Sequence, residues 1–277
     1  MMSDLPARVL TAIVLGIVVI GGIYYSYLTF CMVMLIIGFF SSKEYIHLAS
    51  FGADLVNPQR IKVISSVVAV SPLAIYIILR SGGMQEDVWI SLTGGLIAMS
   101  GLFFYHLSKN EIGDWKVYQP TALSMVYISL PIMIFTKICG EGPYQWMKPM
   151  SILILIWSND TFAYFTGRFF GKRKLYESVS PKKTIEGFIG GMIFSIMAGL
   201  ILSVYIRSLT PGLWIAYGFG IAILSTIGDL FESMMKRRYG VKDSGNSLPG
   251  HGGFLDRFDA FIFVLPIVTL FLYLCWK

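Results

Sequence analysis

The sequence predicts an all-α, polytopic membrane protein, a helical bundle of about nine transmembrane helices. Three observations carry this. Mean hydropathy is +0.69 and only 14% of the residues are charged, against about 25% in soluble domains. Apolar runs long enough to cross a bilayer recur near 9–27, 28–48, 61–80, 88–106, 121–137, 149–167, 187–206, 213–234 and 258–276. Backbone groups in lipid must be paired internally, which selects helices over an open sheet.

The first apolar run is longer than a signal-peptide core and leads almost directly into the next, so it reads as a retained span. Cys31, Cys139 and Cys275 lie in or beside spans without a C-x-x-C pair, the pattern of core packing rather than of disulfides or zinc. With the N-terminus in the cytoplasm, Arg8, Lys43, Arg60, Lys62, Lys109, Lys116 and the cations of 168–183 and 236–257 share one side. Arg80, Lys137, Lys148, Arg207 and Lys277 fall on the other, so the positive-inside rule favours this topology. A cytoplasmic inner-membrane location is expected if the source is bacterial.

The chemistry is uneven along the chain. Residues 1–148 read as membrane helices with plain connections, Lys43-Glu44 among them, and His47 and His106 as structural. Residues 149–277 read as a catalytic region with two cytoplasmic polar loops. Asp160, Tyr164 and Arg168 share a helix face, either as a relay that glues helices or as part of a polar cavity. Ser225, Asp229, Glu232, Ser233 and Lys236 form one polar stripe, which must face protein or water. Gly187, Gly191, Ser195 and Gly199 recur every four residues, a small-residue seam for close helix packing.

In the first loop, Ser180-Pro181 predicts a helix start with Lys182 and Lys183 in the same turn, an anion-binding arrangement. The second loop, KRRYGVKDSGNSLPGHGGFLDRFDAF, packs five cations, three aspartates and five glycines against an apolar span. Gly245, Gly250, Gly252 and Gly253 let amides approach a phosphate, and Lys236, Arg237, Lys242 and Arg257 supply charge. With a helix starting near Phe254, Asp256 and Asp259 sit on one face of its first turns. Carboxylates among so many cations suit Mg²⁺ beside substrate phosphates, with Asp229 completing the set. His251 serves either as a general acid or base or as a phosphate contact. The chain has no Walker A, dinucleotide or nucleophile-elbow motif.

These residues resemble the signature of the phosphatidate cytidylyltransferases. The match comprises Ser233, Lys236-Arg237, Lys242-Asp243 and His251-Gly252-Gly253 followed by Asp256-Arg257 and Asp259. The run from Asp160 to Gly171 and the stretch Ser180–Gly187 are similar to the family as well. The resemblance implies that CTP and phosphatidate yield CDP-diacylglycerol and pyrophosphate, with Mg²⁺ on Asp229 and Asp256. It also implies a homodimer in the membrane lipid and a cytoplasm-facing site. Nucleic acid is not an expected partner. A transporter for an anionic solute is the rival from another class, but no paired repeat supports it.

Overall fold

A computed structural model describes residues 5–50, 58–83, 88–108, 116–245, 247–248, 250 and 252–276, with side chains from residue 9 onward. Among them are nine helices: α1 Leu5–Tyr25, α2 Tyr27–Ala49, α3 Pro58–Ser81, α4 Val88–Ser108, α5 Tyr118–Gly140, α6 Met147–Phe170, α7 Ile185–Tyr205, α8 Pro211–Arg238 and α9 Leu255–Cys275. Seven of these, α2–α5 and α7–α9, are long and apolar enough to cross a membrane on length and composition alone. The helix α6 carries Lys148, Asp160 and Arg168 within an otherwise apolar run. The multi-span helical bundle expected from the sequence is what the chain forms.

Local chemistry explains several boundaries. One residue, Ser26, separates α1 from α2; it and Thr29 exchange hydrogen bonds in a capping box that satisfies orphan amides of the first turn. Thr210 caps α8 through Leu213 N, and Pro211 follows at the position where a missing N–H costs nothing. Within α5 the residues Met125–Ser129 form a π-helical turn, directly before Leu130-Pro131. Pro131 has no N–H to offer the carbonyl four residues back, and its ring would crowd that carbonyl. The wider turn accommodates it.

The chain divides into two compact units, Met1–Lys137 with Asp243–Phe258, and Ile138–Lys242 with Asp259–Lys277. The first unit is built on α1–α5. Gly22 lies against Val33, and Gly95 against Pro72, so α1–α2 and α3–α4 approach closely. Phe30 and Phe135 meet edge to face, and Tyr27 donates inward to Thr136 O at 3.1 Å. His106 is buried with Nδ1 against the Tyr118 hydroxyl, which is a structural role. Cys31 and Cys139 are buried, each in the packing of its own unit.

In the second unit the small-residue seam of α7 is in contact on both sides. A Cβ added to Gly187 or Gly191 would stand 2.7 Å from a carbonyl oxygen of α6, Ala163 and Asn159 respectively. One added to Gly199 would stand 2.8 Å from Trp214 O of α8, and Ser195 Oγ donates to Gly218 O at 3.0 Å. Backbones this close leave room for nothing larger. Phe162 and Phe194 stack across the α6–α7 contact.

The 167–187 loop differs from expectation. Ser180–Thr184 is a strand, β2, paired antiparallel with β1, Lys174–Tyr176. Helix α7 starts at Ile185, capped by Thr184, whose hydroxyl accepts from Gly187 N at 3.1 Å. The Ser-Pro pair therefore starts a strand, and Thr184 takes the capping role. Glu186 secures the hairpin by accepting Lys172 N, Arg173 N and Arg173 Nε at 2.9–3.1 Å.

Candidate active site

The second unit gathers charged groups from four elements around Asp229. Lys183 of β2 donates to Asp229 Oδ2 of α8 at 2.7 Å. Asp160 of α6 faces both members of that pair. Asp259 of α9 is buried and faces Asp229 and Glu232. Glu232, 2% exposed, is paired with Lys236 one turn later. The polar stripe of α8 thus faces protein, as lipid requires.

The seam in α7 makes this gathering possible, because it draws α6 and α8 onto one narrow helix. Asn159, 2% exposed, adds a direct link: its amide donates to Ser225 Oγ of α8 at 3.1 Å and to Asp160 Oδ1 at 3.3 Å. Asn159 is a site residue that the spacing of Asp160, Tyr164 and Arg168 does not single out. Asp160 does not sit in the relay weighed from spacing: Arg168 reaches Tyr164 at 3.2 Å, while Asp160 turns to Asn159 and the Lys183–Asp229 pair.

The remaining predicted residues of this unit lie outward. Ser180 is half-buried at the start of β2, and Lys182 is exposed beside Lys183. Alternation along β2 explains the split, since successive side chains of a strand point to opposite faces. Arg237 and Lys242 are exposed, with an Arg237 nitrogen 3.5 Å from Val241 O. They form a basic collar at the end of α8.

The first unit holds the other carboxylate expected to bind metal, Asp256. Asp256, in the first turn of α9, accepts Ser244 N at 3.0 Å and Gly253 N at 2.9 Å on Oδ2. Gly252 adopts φ +82, and Gly250 φ +74, the left-handed region open to glycine. Asp243 and Arg257 are exposed beside them. His251 lies outside the described residues. Helix α9 begins at Leu255, one residue from the predicted start.

A residue read as a plain connection enters this cluster. Glu44 lies within α2 and is 4% exposed, so the solvated-loop reading of Lys43-Glu44 is corrected. Its Oε2 accepts Ser244 Oγ at 2.9 Å and Leu255 N at 2.8 Å. The signal was present as an ionisable residue within a long apolar helix, which marks function by default.

Among the described residues no three carboxylate, imidazole or thiol groups converge as a ready-made metal cage. The donor chemistry around Asp229 nevertheless fits a hard cation: the carboxyls of Asp160, Asp229, Glu232 and Asp259 outnumber the ammonium groups of Lys183 and Lys236. Mg²⁺ binds through one or two carboxylates with water or phosphate oxygens completing its shell, so a full protein cage is not required.

Comparison with known proteins adds a family. A model of the cytidylyltransferase family matches residues 6–275. The phosphatidate cytidylyltransferase of Staphylococcus saprophyticus is 34% identical over 275 residues, covering 97% of this chain and 99% of that protein. The protein of the same name from Staphylococcus epidermidis is 38% identical over 223 residues, 79% of this chain and 84% of its own. That of Staphylococcus aureus is 36% identical over the same length and shares.

Proposed function

The chain belongs to the cytidylyltransferase family, and on that premise we propose that it is an integral-membrane enzyme converting CTP and phosphatidate into CDP-diacylglycerol and pyrophosphate. It would thereby supply an activated lipid for phospholipid synthesis. The observation that carries the reading is the Lys183–Asp229 pair at the centre of a carboxylate cluster: Lys183 lies in a stretch similar to the family, and Asp229 is one of the two aspartates on which the resemblance implies Mg²⁺. It is what a site for a polyphosphate and its counter-ion needs.

An oxygen of the phosphatidate phosphate attacks the α-phosphorus of CTP. A P–O bond forms there as the bond to the β-phosphate oxygen breaks, and pyrophosphate leaves with that electron pair. No covalent enzyme intermediate enters. Lys183 and Lys236, which neutralise Asp229 and Glu232 in the ligand-free arrangement, would turn to phosphate oxygens when substrate arrives, leaving the Asp229 carboxylate free to hold a cation. Arg237, Lys242 and Arg257 draw both anions in, since exposed cations raise the local concentration of anionic substrates. Asp229 and Asp256 are the residues that would hold Mg²⁺, which supplies charge neutralisation along the phosphate chain. Asp256 is oriented for this by two backbone amides. The lipid tails stay in the bilayer, the site opens to the cytoplasm by the positive-inside rule, and the working form is a homodimer in the membrane.

The test is conversion of labelled CTP by purified protein in lipid nanodiscs with phosphatidate and Mg²⁺, with ATP as the control nucleotide. Product that requires CTP and Mg²⁺, and disappears in Asp229→Asn and Asp256→Asn, is expected. Folded wild-type protein that makes no product sinks the reading. Product surviving in both variants keeps the reaction and discards the site.

A further inference from the structure

The N-terminal half carries little obvious chemistry, yet one of its side chains reaches the 243–258 segment. Glu44 Oε2 holds two donors, the Ser244 hydroxyl and the Leu255 amide. Ser244 in turn gives its own amide to Asp256, and Gly253 gives another. Around these bonds no space remains. A Cβ on Gly253 would stand 2.0 Å from Ser244 Oγ and 2.6 Å from Glu44 Oε2, and one on Gly245 would stand 2.7 Å from Glu44 Oε1.

We propose that Glu44 is the positioning residue for Asp256: its carboxylate clamps Ser244 and the start of α9 from 200 residues away, and so aims the two amides that orient Asp256. The inference deepens the proposed function and rests on it.

Helix starts are ordinarily capped by a local Ser, Thr, Asp or Asn. Here Gly253 and Phe254 precede α9, and neither has a side chain that can cap it. The Leu255 amide is satisfied instead by a buried carboxylate of α2. An anion at a helix N-terminus is favoured by the helix dipole, which adds to the bond itself. The second oxygen, Oε1, is buried and has no hydrogen-bond partner among the described residues. Burying a carboxylate to use one of its oxygens is costly for mere packing. The arrangement makes sense where the placement of the clamped groups matters.

The geometry distinguishes acceptor from charge. Gln at position 44 can place its carbonyl oxygen at the Oε2 position and accept both donors, with its amide at the Oε1 position. Leu fills similar volume and accepts neither.

The experiment uses the full chain in nanodiscs and compares wild type, Glu44→Gln, Glu44→Leu, Ser244→Ala and the Glu44→Leu/Ser244→Ala double variant. Kinetics with CTP and phosphatidate are read beside hydrogen exchange of the Ser244, Gly253 and Leu255 amides. Glu44→Leu is expected to lower kcat by about tenfold to a hundredfold, the range set by losing one or two such bonds, with KM for both substrates within about twofold of wild type. Gln should recover kcat to within about fivefold, since both acceptor bonds survive. The double variant should be no worse than Glu44→Leu, because the two residues share one bond. The three amides should exchange at least about tenfold faster in Glu44→Leu and stay protected in Glu44→Gln.

Wild-type kcat in Glu44→Leu, losses that multiply in the double variant, or unchanged exchange would each overturn the proposal. If wild type makes no product, the functional reading fails and the exchange arm alone decides the positioning. If Glu44→Leu does not fold, Ser244→Ala must open the same amides and lower kcat, and a Ser244→Ala that does neither overturns it.

Discussion

Replacing Gly253 by Ala adds one methyl group at the tightest point of the 243–258 segment. The new Cβ would meet Ser244 Oγ at 2.0 Å, Glu44 Oε2 at 2.6 Å and the Gly245 nitrogen at 2.8 Å. The serine hydroxyl can swing aside. The Gly245 nitrogen is backbone, and Glu44 is tethered by Leu255 N at 2.8 Å, so relief requires the chain around Gly253 to retreat by roughly 0.6 Å or more to reach ordinary contact. A retreat of that size lengthens the 2.9 Å bond from Gly253 N to Asp256 beyond useful range. Hydrogen bonds to charged groups are worth about 1.5–3 kcal/mol, so losing one costs about tenfold to a hundredfold in rate if Asp256 acts in the reaction. The assay is kcat for CDP-diacylglycerol formation in nanodiscs, with thermal unfolding followed in the same preparation. Gly220→Ala is the control, since nothing lies within 4 Å of its Cβ; it should be neutral or stabilising by up to about 1 kcal/mol. If Gly253→Ala keeps kcat within about threefold of wild type, the segment is slack and the argument from close approach is wrong.

Two other perturbations separate chemistry from scaffold. Lys183→Met removes the 2.7 Å pair to Asp229, whose side chains are 29% and 28% exposed. A pair this open is worth no more than about 1 kcal/mol, a shift of about 2–4 °C in apparent Tm. The loss in kcat/KM should instead reach about a hundredfold, the scale of one lost charge-stabilising donor; a large Tm loss with wild-type turnover would make Lys183 structural. Gly191→Ala places a methyl 2.7 Å from the Asn159 carbonyl oxygen and 2.9 Å from Ala163 Cβ, and should destabilise the α6–α7 contact by about 1–3 kcal/mol. Unchanged thermal unfolding of that variant would mean that the seam is not close-packed.

Features with a helical period were legible in the sequence because period translates directly into a face. The stripe from Ser225 to Lys236 faces protein, and the seam from Gly187 to Gly199 touches its neighbours, for that reason. The hairpin was misread because Ser180-Pro181 carries a strong helix-start signal, while β1 and β2 are too short, 3 and 5 residues, to show alternation. Glu44 was hidden by Lys43, which made the pair look like the end of a span. Its partners lie about two hundred residues onward, and no local pattern encodes a contact of that reach. Tyr27 sits at a span boundary, where aromatics commonly face headgroups, but its hydroxyl bonds inward to Thr136 O, again a contact that no local pattern encodes.

The π-helical turn at Met125–Ser129 stores a residue. Its hydrogen bonds close five residues apart instead of four, so α5 holds one more amino acid than a regular helix of equal rise. Deleting one residue there would draw the turn back to ordinary α spacing and keep the flanking halves in register, at the cost of crowding by the Pro131 ring, whereas the same deletion in α7 would rotate Gly187 and Gly191 against each other and break their seam. Insertions and losses of single residues are thus unequal along this chain. At the π turn the length of α5 has slack; along the α7 seam, where small residues are matched face to face, the helix has none.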